Sequence, residues 1–242
     1  MKYFSGKNVF IVTNNSSKAL DDFAAKCRRI GFDMISDDHM LSPAKVLSHI
    51  LAMEKSDLPV YLVGSTGLQK ELKKRGIESF GVGPDPIENY TDVESIQQID
   101  ISRKVRAVIV SYDIHISYPK IMRAASYINQ PGVRFYATNP DPKLPGPVPG
   151  VVVPGSGVNV RAVETAAGKE PIIIGKPSKT MFEYIKERYI FASLLILKWY
   201  IVPCYCGYLV LIQLNASNCN LFFVSLIKVV IFFVNHYYVI KL

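Results

Sequence analysis

Two short polar stretches carry residue types that can hold an anion, and each directly follows an apolar run. The first is "NVFIVTNNSS", where residues 8–12 lead into Thr13, Asn14, Asn15, Ser16 and Ser17. The Thr13 hydroxyl and the Asn14 backbone N–H each have a proton to donate to a phosphate oxygen. A helix starting after them would add free N–H groups and a dipole that favours negative charge. The second is "IIIGKPS", residues 172–178, which places the Lys176 ammonium at the end of another apolar run. Read alone, Ser16 or Ser17 is a helix cap and Lys176 a surface lysine in a proline turn. Read together, two strand ends that offer Thr, Asn and Lys make a phosphate cradle.

Elements able to hold such a cradle follow from the pattern of the chain. Residues 8–12 read as a strand buried on both faces of a parallel sheet, and further strands are expected at 59–63, 105–113, 133–137 and at the start of 171–178, where the chain runs into a Gly-Lys-Pro turn. Shorter strands are expected at 32–35 and 77–82. Helical spacing is expected over 18–30, 67–75, 117–130, 158–167 and 179–188. Ser42 and Pro43 mark a further helix start, as N-cap and first helical residue. Residues 83–104 and the proline-rich 139–157 read as loops, and long loops in such proteins often carry function. Strands alternating with helices give an α/β fold with a mainly parallel sheet, and ligands of such sheets bind beyond the carboxyl ends of the strands.

The charge is +8 over 242 residues, but it is uneven. Residues 189–242 hold only Lys198, Lys228 and Lys241 and no acid, which leaves the first 188 residues at +5 with all 20 acids. No Lys/Arg block occurs, which argues against nucleic acid as a partner. The 4 cysteines show no CxxC pair and no histidine at metal spacing, so neither a zinc site nor a disulfide framework is suggested. The segment "MKYFSGKNVF" has no apolar leader, so a cytoplasmic chain is expected.

Seven stretches make the reading specific: "VFIVTNNSSK", "YLVGSTGLQKELKKRGI", "GVGPDP", "VRAVIVSYDIHISYPKI", "ATNPDPKLP", "VRAVETAAG" and "IIGKPS". In this order, over about residues 7–187, the chain resembles the phosphoglycolate phosphatase, 4-nitrophenylphosphatase and pyridoxal phosphatase family of the haloacid dehalogenase superfamily. The resemblance implies a Rossmann-like core, incomplete here, with a large inserted α/β cap. The expected layout is core at 1–56, cap at 57–155, core again at 156–188, and an apolar tail unrelated to the family at 189–242. It implies a small phosphorylated metabolite as ligand and a homodimer formed through the cap. By the resemblance, Thr13 binds phosphate, Asn14 and Asn15 form the substrate-binding loop, and Lys176 neutralises the phosphoryl group. "TNPDPKLPG" matches the substrate-reading loop of the cap. Leu144 falls where phosphoglycolate-type members carry Leu and pyridoxal-phosphate-type members carry His.

The match breaks at both ends. The family takes its nucleophile and general acid from a DxDG strand and uses Mg²⁺, yet no acid precedes Thr13 here. The family's last acidic motif should follow residue 188, where the acid-free tail begins. The chain is therefore expected to be truncated at both ends, with no catalytic residue, no metal ligands, improper Mg²⁺ binding and impaired phosphatase activity. Asp21 and Asp22 lie one turn too far along to attack in line. Asp37, Asp38 and His39 read as a solvated turn, and Asp141 as a residue that contacts substrate or fixes its loop. The alternative is a binding module without catalysis, acting through the cap or tethered to a membrane by residues 189–240. Segments 189–212 and 221–240 are each near the length needed to span a bilayer. Lys198 and Lys228 count against this, at roughly 2.5–3.5 kcal/mol each near a bilayer centre. The tail shows no strand alternation, so it is not expected to complete the core.

Overall fold

The computed structural model describes residues 7–16, 25, 28–29, 37–85, 96–144 and 148–189, and the backbone of 196–204, 207–215 and 228–234. The chain divides into two compact bodies. One holds the strands on either side of the chain's middle, and the other holds Asn15, Ser16 and Pro43–Met181.

The second body is a parallel α/β sheet. Its strands are β3 (Val60–Val63), β4 (Ser79–Phe80), β5 (Ala107–Val110), β6 (Arg134–Ala137) and β9 (Ile172–Ile173). They lie in the order β4-β3-β5-β6-β9, and all four ladders are parallel. All four residues of β3 and of β5 are buried, as expected for strands covered on both faces. The helices are α1 (Pro43–Met53), α2 (Thr66–Lys73), α3 (Tyr118–Ile128) and α4 (Ser156–Ala167). Helix α5 (Thr180–Tyr189) follows β9. Ser65 caps α2 by accepting from Leu68 N, and Ser117 caps α3 by accepting from Lys120 N, with proline in the first turn. Between β6 and α4 the chain also forms an antiparallel pair that the prolines concealed, β7 (Lys143–Leu144) with β8 (Val153–Pro154).

Tyr61, Phe80 and Tyr127 interlock at one side of the core, with ring centroids 5.3 Å apart for Tyr61–Tyr127 and 5.4 Å for Tyr61–Phe80. At the carboxyl end of β5, Asp113 accepts from Lys120 Nζ at 2.6 Å, with both side chains 2% exposed. A charge so buried needs its partner. Asp113→Ala should therefore cost roughly 3–5 kcal/mol of stability in urea unfolding, and the double change Asp113→Leu, Lys120→Met should recover most of it. A single-variant loss below about 1 kcal/mol, the value of an exposed pair, would refute a structural role for this pair.

The core–cap boundaries were expected at 56/57 and 155/156. The two compact bodies divide at 42/43 and 181/182, with Asn15 and Ser16 also in the second. The reason is long-range pairing: Tyr136 and Ala137 pair with Ile172 and Ile173, and α4 packs on α3, so both belong with the strands expected in the cap.

The other body is built on β1 (Lys7–Thr13). The short β2 (Met40–Leu41) pairs with it in parallel, Ile11 with Met40 and Val12 with Leu41. On its other side lies the tail, which corrects the expectation that residues 189–242 add nothing to the fold. Strands β10 (Ile196–Cys204), β11 (Gly207–Asn215) and β12 (Lys228–Val234) extend the sheet in the order β10-β11-β12-β1-β2. β12 runs parallel to β1 along its whole length, from Lys7↔Lys228 to Thr13↔Val234. The segments weighed as bilayer-spanning, 189–212 and 221–240, overlap these strands. Among the described residues no helix is long and apolar enough to cross a membrane. Asp37–His39 form a 3₁₀ turn with Asp38 exposed. The helix expected over 18–30 and the strand at 32–35 lie almost wholly outside the described residues, as do Ser17, Asp21 and Asp22.

Candidate phosphate site

Thr13 and Asn14 close β1 in the first body, and both side chains are buried, at 3% and 7% exposure. Asn15, Leu144 and Lys176 belong to the second. Thr13 and Lys176, read together as a cradle, do not follow neighbouring strands. β1 pairs with β2 and β12, whereas β9 pairs with β6 in the other sheet. Two parallel runs with similar endings give no sequence sign of which strand each will pair with.

Within the second body the polar residues collect at one edge. Its strand order reverses direction between β3 and β5, and at the carboxyl ends of such a pair the outgoing loops diverge and leave a crevice. Asn15 and Ser16 are at that point: the Ser16 carbonyl accepts from Ser65 Oγ, just past β3, at 2.9 Å. Next along the edge, past β5 and β6, Thr138 Oγ1 and Ser111 Oγ are 3.0 Å apart. Asn159 Nδ2 donates to the carbonyls of Ser111 and Asp113 at 3.0 and 3.1 Å. Past β9, Ile174 N and Gly175 N continue the ladder onto Ala137 O and Thr138 O at 3.0 and 2.7 Å. That ladder brings Lys176 out beside the loop that begins at Asn139.

Lys176 is half-buried. Burial pushes its ammonium from the ordinary 10.5 down to about 8, and the charge of Asp141 opposes the shift. Leu144 and Asp141, both half-buried, stand on that neighbouring loop. The edge thus offers a cation whose charge is weakly solvated, an apolar side chain and a carboxylate. Such a set can bind a phosphoryl group and sort the group attached to it. Ser65, Asn139 and Asn159 were not singled out from sequence, although Ser65 carried a signal as a serine opening a helical run.

A family model for haloacid dehalogenase-like hydrolases matches residues 4–78. Over 186 residues the chain is 42% identical to a Caenorhabditis elegans protein described as a NipSnap protein, covering 75% of this chain and 35% of that one. Human glycerol-3-phosphate phosphatase is 36% identical over 191 residues, 76% of this chain and 59% of its own length. Among solved structures, glycerol phosphate phosphatase of Mycobacterium tuberculosis in complex with magnesium superposes with a TM-score of 0.58 at 25% identity. That match covers 75% of this chain and 49% of the other. This chain belongs to the haloacid dehalogenase-like hydrolase family. It spans well under two thirds of the length of each of these relatives.

Family membership implies a magnesium site, and the donor set here does not fit one. Magnesium takes hard oxygen ligands, with one or more carboxylates among them. β1 ends in a hydroxyl and two carboxamides, Thr13, Asn14 and Asn15. Among the described residues, no three His, Cys, Asp or Glu side chains gather to hold a metal.

Proposed function

We propose that this haloacid dehalogenase-like chain binds the phosphoryl group of a small phosphomonoester, and that the 242 residues alone do not hydrolyse it at a family-like rate. Lys176 carries the reading: a half-buried ammonium at the carboxyl edge of a parallel sheet, beside a loop presenting Leu144 and Asp141. Asn15 and Ser16 lie at the switch point of the same edge. The ligand class is a phosphoester of glycerol or glycolate size, in keeping with the name of the human relative and with Leu144. The proposed setting is cytoplasmic. The proposed partner is a second copy bound through the second body, where Ile114, Tyr118 and Val158 are exposed. A monomeric mass in light scattering would remove the dimer from the proposal.

Titration tests the role of Lys176. Glycerol 3-phosphate stays dianionic above about pH 7, since the second ionisation of such esters lies near 6. Its affinity should hold up to about pH 8 and fall above it as Lys176 loses its proton. Lys176→Met should bind weakly at every pH, and Lys176→Arg should lose the fall. Without ligand the sign reverses. The folded Lys176 sheds its proton near 8 while the unfolded lysine keeps it to about 10.5, so this group's contribution to stability rises with pH across that window. An affinity that is flat across the window in the unsubstituted chain would rule Lys176 out as the phosphate ligand.

A further inference from the structure

The stretch "PGSG", residues 154–157, opens α4 without a side-chain cap. Gly155 has φ −92°, extended backbone that any residue adopts, so conformation does not demand glycine there. Space does. A Cβ at Gly155 would lie 2.2 Å from Asp141 O and 3.1 Å from Lys143 N. A Cβ at Gly157 would lie 2.3 Å from Pro140 O and 2.9 Å from Asp141 O. These are backbone atoms, which cannot swing aside as a long side chain can.

The close approach has a use. The first N–H groups of a helix have no partner within it. Here Gly155 N donates to Pro142 O at 3.0 Å and Gly157 N to Asp141 O at 2.9 Å. The helix start is thus capped by loop 139–144 itself. Asn139 adds two bonds: its Oδ1 accepts from Asp141 N at 3.1 Å, and its Nδ2 donates to Ser156 Oγ at 3.4 Å. Leu144 is then held by the ladder to Val153, and Asn159 ties α4 to the end of β5. Loop, helix start and sheet edge form one hydrogen-bonded unit.

We propose that Gly155 and Gly157 are positioning residues: by seating loop 139–144 on the start of α4 they fix Asp141 and Leu144 beside Lys176, and so set which phosphoester the edge admits. This rests on the reading that the edge binds a phosphomonoester. Lys176 meets the phosphoryl group common to all such ligands, while Leu144 and Asp141 meet the part that differs. A displaced loop therefore changes selectivity more than phosphate binding, which a general loss of stability would not do.

The test uses the full chain, Gly157→Ala, and Asn139→Ala as a second variant that loosens the seat without a clash. Affinities for inorganic phosphate, glycerol 3-phosphate and 4-nitrophenyl phosphate are measured by calorimetry, and amide exchange is followed over residues 139–144. In both variants, the preference for glycerol 3-phosphate over 4-nitrophenyl phosphate should fall about tenfold, the scale of a one-methylene misfit in a pocket. Inorganic phosphate affinity should stay within about twofold, and exchange at 139–144 should quicken. Equal losses for all three ligands, or unchanged exchange in both folded variants, would overturn the seat. If the unsubstituted chain binds none of the three, the phosphoester reading fails, and the seat is then judged by exchange alone.

Discussion

Purified 242-residue chain, given Mg²⁺ and 4-nitrophenyl phosphate, should release nitrophenol no faster than its Lys176→Met variant. Hydrolysis through a covalent phospho-enzyme splits one hard step into two, and the first requires a nucleophile able to accept the phosphoryl group. Thr13, Asn14 and Asn15 are a hydroxyl and two carboxamides, and none is a carboxylate. Lys176 can balance the phosphoryl charge but brings no attacking group. In a hydrolase of another class, loss of the nucleophile costs about 10⁶ in turnover, so a loss of that order is expected relative to a phosphatase that carries an aspartate nucleophile. Burst kinetics should be absent too, since no phospho-enzyme can accumulate. Turnover well above the Lys176→Met control would mean that another carboxylate attacks. Asp141, already beside Lys176 on the sheet edge, would be the first to replace, followed by Asp21 and Asp22.

The sheet of the second body was legible because parallel strands covered on both faces must be apolar throughout. Val60–Val63 and Ala107–Val110 are such runs and are wholly buried. Helix starts were legible where side chains mark them, as at Ser42-Pro43 and Ser117. The same rule misled at the tail. Residues 196–204 and 228–234 show no alternation, which argues against a place in the core, although β1 is expected as a strand on the same pattern. The site was legible only in part. Lys176 follows the apolar run 172–174 and Leu144 lies in the proline-rich loop, so both could be named as candidates from sequence. The seat for Leu144 depends on two glycines that make room for backbone atoms 12 to 17 positions upstream, and sequence spacing does not reveal that room. Nor did it reveal that β9 would pair with β6 rather than with β1.

Cutting the chain after Arg188 should unseat β1. From sequence the tail is not expected to complete the core. β1 has seven residues paired with β12 and only Ile11 and Val12 paired with β2. Without β12, one whole side of β1 loses its ladder, and Ile11, Val12 and Thr13, all at most 3% exposed, border the gap. Each buried backbone group left without a partner costs about 1–3 kcal/mol, and several are left at once. That total is comparable to the whole stability of an ordinary domain, about 5–15 kcal/mol. The second body keeps all its own ladders, because every partner of β3, β5, β6 and β9 lies within Pro43–Met181. Amide exchange should therefore separate the two: in the cut chain, residues 7–13 exchange at nearly unprotected rates while 60–63 and 107–110 keep their protection. A cut chain that protects 7–13 as the full chain does would show that β12 is dispensable to β1, and the tail would again be an appendage. If β1 does come loose, Thr13 and Asn14 lose their fixed place as well. The phosphate binding proposed for the second body should persist in the cut chain and be abolished there by Lys176→Met.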